Sequence, residues 1–157
     1  MTYCLWLYGM PNTGKTTLCY HLLQDKLRNC ILIDGDKFRE HTNNTDYSKE
    51  STIKNNKQTS KLASRLMSEG WNVLVAMITP TLEGRQEAKK VFKEQNQTVI
   101  MIKLDCSTPT RQSRPNFRET QIVMEEQGSE TDYYLNTEKN NIDTCVNFVN
   151  NILTPQK

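Results

Sequence analysis

Gly9-Met10-Pro11-Asn12-Thr13-Gly14-Lys15-Thr16-Thr17 fills every fixed position of G-x-x-x-x-G-K-[ST], a spacing suited to holding phosphate. Glycines let the backbone curl so that successive N–H groups, those of Asn12, Thr13 and Gly14 included, point at phosphate oxygens. A helix starting at the end of the loop adds its positive terminus. Lys15 is expected to reach the β- and γ-phosphates, and the Thr16 hydroxyl to ligate Mg²⁺. The bland alternative is a glycine-rich turn that happens to precede a helix. A second stretch, Asp34-Gly35-Asp36-Lys37-Phe38-Arg39, offers carboxylates that can orient a hydroxyl, accept its proton, or hold Mg²⁺ through water. Arg39, one helical turn beyond Asp36, can grip an anionic group bidentately. Read blandly, it is a turn with a helix-capping aspartate. A third group, Arg111, Arg114 and Arg118, lies in a polar segment that contains Pro109 and Pro115. Its functional reading is a flap that neutralises a transferring phosphoryl group, with Arg111 and Arg114 as the catalytic candidates. The bland one is a solvated loop.

These residues need elements to position them. Tyr3 to Tyr8 is a short apolar run that reads as a buried strand, and Leu18, Leu22, Leu23 and Leu27 recur at helical spacing after the loop. Strand, glycine loop and helix is the context the motif requires. Cys30 to Ile33, Asn72 to Ile78, Thr98 to Leu104 and Tyr133 to Asn136 read as further strands. Helices are expected from about Lys54 to Glu69, with Leu62, Ala63, Leu66 and Met67 on one face, from Leu82 to Gln95, and at Ile142, Val146, Val149 and Leu153. His41 to Ser51 reads as an exposed loop. Alternating strands and helices predict an α/β three-layer fold, a parallel sheet of about five strands flanked by helices. In such sheets ligands bind beyond the carboxyl ends of the strands. That edge gathers the phosphate loop, Asp34 and Asp36, Thr79 and the arginine-rich segment.

At 157 residues the chain is read as a single domain, 1–157, with a lid-like segment over about 107–130. Charged residues make up 24% and the net charge is +2, which suits an anionic substrate and argues against a basic nucleic-acid tail. The five cysteines are scattered without a C-x-x-C pair and read as reduced core residues of a cytoplasmic protein. His21 and His41 have no partners at ligand spacing, and His21 is expected on a helix surface. Neither a signal peptide nor a membrane span is expected.

Taken together, these residues resemble the adenylylsulfate kinase family of P-loop kinases from Tyr3 to about Lys90. Ile33 to Arg39 matches its L-D-G-D-x-x-R signature, and Asp46-Tyr47-Ser48 resembles its G-F-S. Asn55 falls on its acceptor-binding asparagine, and Ile78-Thr79-Pro80 followed by Arg85 resembles I-S-P-x-x-x-x-R. Leu135-Asn136-Thr137 resembles the family's ending. The departures lie mostly on the acceptor side. Thr52 stands where the family has arginine, Met77 where it has an aromatic, and Thr79 where it has serine. The lid motif R-D-P-K-G-L-Y has no counterpart in Ser107 to Thr120. The resemblance implies the P-loop NTPase fold, ATP and Mg²⁺ as cofactors, and phosphoryl transfer to a small, nucleotide-like acceptor. Asp34, Arg39, Tyr47, Asn55, Ile78 and Thr79 would bind that acceptor, and Thr16 and Asp36 would hold the metal. Adenylylsulfate is the first acceptor to test. The D-x-x-R of Asp36 and Arg39 also resembles polynucleotide kinases, so a nucleoside or a nucleic-acid 5′-hydroxyl is the runner-up. A nucleotide-dependent switch is the third reading, and Asn56-Lys57-Gln58-Thr59 lacks the aspartate of a guanine-reading N-K-x-D. A homodimer is left open.

Overall fold

The computed structural model describes residues 1–25 and 29–154. In chain order the elements are β1 (Tyr3–Tyr8), α1 (Lys15–Asp25), β2 (Cys30–Asp34), α2 (Gly35–His41), α3 (Lys49–Ser68) and β3 (Asn72–Met77). They continue with α4 (Leu82–Glu94), β4 (Thr98–Asp105), α5 (Thr108–Ser113), β5 (Tyr133–Asn136) and α6 (Ile142–Leu153). The strands form one parallel sheet in the order β2-β3-β1-β4-β5. Parallel neighbours require crossovers, and helices supply them.

Side chains alternate across a strand, so β1 feeds two cores at once. Leu5 and Leu7 pack with Leu18 and Leu22 of α1 and with Cys145, Val146 and Val149 of α6. Cys4, Trp6 and Tyr8 point the other way, onto Ala63 and Met67 of α3 and Ala88 and Phe92 of α4. The result is the expected helix–sheet–helix sandwich. β1 lies at its centre, so the loop that follows it emerges where the chain's crossovers diverge to either side. His21 is exposed on α1, and four of the five cysteines are buried, with Cys30 partly so. Leu27 lies outside the described residues.

The sequence reading needs three corrections here. First, α3 starts at Lys49, five residues before the expected point, because Ser48 caps it by accepting from Ser51 N at 3.3 Å. Its first turn is polar and carries no apolar signal. Second, the buried face of α3 is rotated and largely polar. Thr52, Asn55, Asn56, Thr59, Ser60 and Ser64 are buried with Ala63 and Met67, whereas Leu62 is exposed. Those hydroxyls are satisfied within the fold, as in Thr59 Oγ1 to Asn55 O at 2.9 Å and Ser64 Oγ to Gln97 Oε1 at 2.6 Å. Third, a short helix, α5, capped by Ser107, replaces part of the polar segment read as a loop, whereas α2, capped by Asp34, carries Arg39 one helical turn beyond Asp36 as expected.

Candidate active site

The nucleotide end is built from one continuous segment. Gly9 has φ 153°, and a Cβ there would meet Leu104 O at 2.3 Å, so only glycine lets β1 turn this closely past β4. Its N–H donates to Ile78 O at 3.3 Å. Thr13 is fully buried behind the loop, and its hydroxyl donates to Met10 O at 2.9 Å. Lys15 folds back across the loop and donates to Gly9 O at 2.9 Å and Met10 O at 2.8 Å. Burial pushes its ammonium down to about 8, against the opposing pull of Asp36 and Asp34. An anionic triphosphate would restore the charge. Thr16 Oγ1 donates to Asp34 Oδ2 at 3.1 Å.

Asp34 therefore has two tasks. One carboxylate oxygen meets Thr16, and the other caps α2 by accepting from Asp36 N at 3.0 Å. The capping-aspartate reading holds for it. Asp36, by contrast, is exposed to the cleft and its carboxylate makes no hydrogen bond or ion pair among the described residues. The carboxylate beside the Thr16 hydroxyl is Asp34. A hydroxyl and a carboxylate fit Mg²⁺, which keeps most of its shell for water and phosphate oxygens. Among the described residues no cluster of three or more His, Cys, Asp or Glu forms a separate metal site.

The other end of the cleft is assembled from distant segments. Asp36, Arg39, Tyr47, Thr52, Asn55, Ile78 and Thr79 line the same cleft of about 960 Å³ as Asn12, Gly14, Lys15, Thr16, Thr17 and Asp34. Arg39 is buried in its wall. It donates to Asp46 O at 2.9 Å, lies 3.5 Å from Thr52 Oγ1, and stacks 4.1 Å from the Tyr47 ring centroid. Asn55 Oδ1 and Asn56 Oδ1 are buried without a partner. Thr79 lines the cleft, but its hydroxyl is occupied, accepting from Trp6 Nε1 at 2.9 Å and donating to Met77 O at 3.3 Å.

The three candidate arginines separate. Arg111 reaches Pro11 O at 3.5 Å, and Arg114 donates to Asn12 O at 2.9 Å and Thr137 O at 3.0 Å. Both brace the outside of the phosphate loop, and neither lines the cleft; Arg118 does. Arg85, the arginine of the stretch that resembles I-S-P-x-x-x-x-R, is fully buried. It pairs with Glu130 at 2.9 Å, donates to Thr79 O, Glu125 O and Glu126 O, and sits 4.8 Å from the Tyr8 ring centroid. Glu130, Thr137 and Asn56 were not anticipated, because their partners are remote in sequence and no local pattern signals them.

The sequence profile described as adenylylsulphate kinase matches residues 1–118, more than half of the chain. A cytidine diphosphoramidate kinase of Campylobacter jejuni is 34% identical over 106 residues, 66% of this chain and 61% of that protein. An adenylyl-sulfate kinase of Thermodesulfovibrio yellowstonii is 27% identical over 112 residues, 68% of this chain and 56% of that one. The chain thus spans about three fifths of the length of these relatives. Among solved structures, the Mycobacterium tuberculosis APS kinase in complex with AMPPNP and APS superposes with a TM-score of 0.83 at 22% identity, covering 97% of both chains. That likeness carries the P-loop fold. The matched profile covers the phosphate loop, α2 and the start of α3, the segments that line the cleft, and on that match the chain belongs to the adenylylsulphate kinase family.

Proposed function

We propose that this chain is an ATP-dependent phosphotransferase acting on a hydroxyl of a small, nucleotide-like acceptor. One observation carries the reading: a phosphate loop, a hydroxyl–carboxylate pair and a separate acceptor wall line a single cleft. The loop backbone holds the β-phosphate, and Lys15 leaves its carbonyl partners for the γ-phosphate. Thr16 and Asp34 would hold Mg²⁺, which when bound neutralises charge on the β- and γ-oxygens. Asp36, free in the cleft, accepts the acceptor's proton. As it does so, the acceptor oxygen bonds to Pγ and the bond to the β-phosphate oxygen breaks, its electron pair leaving with ADP.

Arg39 grips the acceptor's phosphate, Asn55 positions it, and the exposed face of Tyr47 stacks on its base. Arg111 and Arg114 keep the loop in shape. In this reading residues 1–157 act as one catalytic domain, with about 107–130 as its lid. No helix among the described residues is long and apolar enough to cross a membrane.

The relatives name two acceptors, adenylylsulfate and cytidine diphosphoramidate. Thr52, beside Arg39, supports an acceptor whose anionic group is held by one arginine. The test uses γ-labelled ATP with adenylylsulfate, cytidine 5′-diphosphoramidate, nucleosides and oligonucleotide 5′-ends. Label is expected on one of the two nucleotide anhydrides. Label on oligonucleotide ends alone would replace the acceptor class, and tight ATP binding with no transfer to any acceptor would overturn the kinase reading.

A further inference from the structure

We infer that Arg118 is the arginine that screens the transferring phosphoryl group, carried across the cleft by a strap fixed at both ends. The inference rests on the phosphotransferase reading and adds a catalytic residue to it. Residues 115–124 carry no helix or strand, yet both flanks are held. At the first flank, Asn12 Nδ2 donates to Pro115 O at 3.4 Å and Arg114 donates to Asn12 O at 2.9 Å, which ties the strap to the phosphate loop. At the second, Glu125 N donates to Pro80 O at 2.8 Å, and Glu125 Oε1 accepts from Leu82 N at 3.1 Å. The buried Arg85 adds bonds to Glu125 O and Glu126 O at 2.9 and 2.7 Å. The strap thus runs from the nucleotide end to the acceptor wall.

Its middle lines the cleft, and Arg118 is the only cation between the two anchors. It lies three residues from the loop anchor and seven from Glu125, so it belongs to the half above the phosphates. Arg118 makes no hydrogen bond or ion pair among the described residues. Arg114 is held by two backbone carbonyls, and Arg111 reaches one at 3.5 Å on the loop's Pro11. A guanidinium that is unpaired at rest has its donors free for the oxygens of the phosphoryl group in flight, where charge-assisted contacts count most. The step is the one given above: the acceptor O–Pγ bond forms, the Pγ–O bond to ADP breaks with its electron pair leaving on ADP, and the acceptor proton passes to Asp36.

The experiment measures single-turnover loss of γ-labelled ATP, with adenylylsulfate, with cytidine 5′-diphosphoramidate and with water alone, for wild type, Arg118→Ala and Arg118→Lys. AMPPNP affinity and thermal midpoint are measured on the same samples. Arg118→Ala is expected to slow transfer by about 10²–10³. AMPPNP affinity should stay within about threefold, and the midpoint should not move, since the side chain has no structural partner. Arg118→Lys should recover part of the rate. A purely structural strap would instead shift the midpoint and nucleotide affinity together. An Arg118→Ala rate above half of wild type overturns the assignment alone. A wild type that binds AMPPNP but transfers phosphate to nothing overturns both this assignment and the reading beneath it.

Discussion

The two ends of the cleft are built in opposite ways. At the nucleotide end, Gly9 to Thr17 is one uninterrupted segment from the end of β1 into the first turn of α1, and its shape follows from the local backbone. At the acceptor end, Arg39, Tyr47, Thr52, Asn55 and Thr79 come from α2, a loop, α3 and the end of β3, and residues of the strap line the same cleft. A contiguous site can be read from spacing, because the atoms that bind the ligand are largely backbone. A distributed site depends on the packing that brings its pieces together, so single changes can retune it without touching the first. The departures from the family pattern at Thr52, Met77 and Thr79 fall on this second end.

The largest effects test whether the two ends do different work. Lys15→Ala is expected to fold and to lose about 10²–10³ in turnover, with weakened ATP binding. Asp36→Asn should lose turnover by about 10²–10⁴ while ATP affinity holds. Equal loss of ATP binding in both variants would erase the distinction and make Asp36 part of the nucleotide site. The Lys15 proton gives an independent check in the nucleotide-free protein. Its folded value, about 8, lies below the 10.5 of the unfolded chain. Between those values the unfolded state binds more protons, so wild type should gain stability relative to Lys15→Met as pH rises from about 8 to 10.5. Urea melts at both ends of that window would detect the change.

Next in size is the tether beneath the acceptor end. Arg85 and Glu130 are buried together, and removing one partner strands the other's charge. Glu130→Ala should therefore cost about 3–5 kcal/mol of stability. Burial alone would raise the Glu130 carboxyl, but bonds from Arg85, its own backbone and Thr131 outweigh that and hold it below the usual 4.5. A carboxylate lowered in the fold stabilises above its unfolded value and loses that contribution in acid. The advantage of wild type over Glu130→Gln should shrink as pH falls below about 4.5. A constant difference between pH 7 and pH 4 would count against the pair.

What could be read from the sequence follows the same division. All five strands, and the helices with an apolar stripe, were legible because period-two and period-3.6 patterns report burial directly. The start of α3 was not, since its first turn is polar and only Ser48 marks it. Nor was its buried face, because Thr59, Ser60 and Ser64 look solvent-facing until their hydrogen bonds to Asn55 O, Lys57 O and Gln97 are known. Residue types at the site were visible, but the contacts each of them makes were not. Asp34 and Asp36 are two positions apart, and only the fold puts the first on Thr16 and leaves the second free. Arg85 and Glu130 are 45 positions apart, beyond any local signal.

A smaller effect sharpens the acceptor end. In the family pattern, an arginine three residues before the asparagine supplies a second positive charge; here Thr52 leaves Arg39 as the cation of that wall. Losing one charge-assisted contact costs about 1.5–3 kcal/mol, or roughly one to two decades of affinity. Wild type is therefore expected to use adenylylsulfate poorly, and Thr52→Arg to lower its KM by that factor. Steady-state kinetics with both proteins decide it. Efficient wild-type turnover at micromolar adenylylsulfate would show that Arg39 alone suffices.

The smallest predicted effect falls on Thr79, where the acceptor wall carries strain. Its φ is 46°, a conformation that β-branched residues rarely adopt and one that costs on the order of 1–3 kcal/mol. Two contacts hold it there. Trp6 Nε1, fully buried, donates to its hydroxyl at 2.9 Å, and Arg85 Nη1 donates to its carbonyl at 3.0 Å. Serine keeps the hydroxyl and sheds the branching methyl, so Thr79→Ser should leave stability unchanged or raise it by up to about 1 kcal/mol. Alanine sheds the methyl as well but strands the Trp6 N–H, which costs about 1–3 kcal/mol. The order serine, threonine, alanine in thermal midpoint is the expected outcome. If alanine matches serine, the Trp6 bond contributes nothing, and the strained turn is held by Arg85 alone. That result would make the acceptor wall dependent on a single buried arginine, with no support from β1 beneath it.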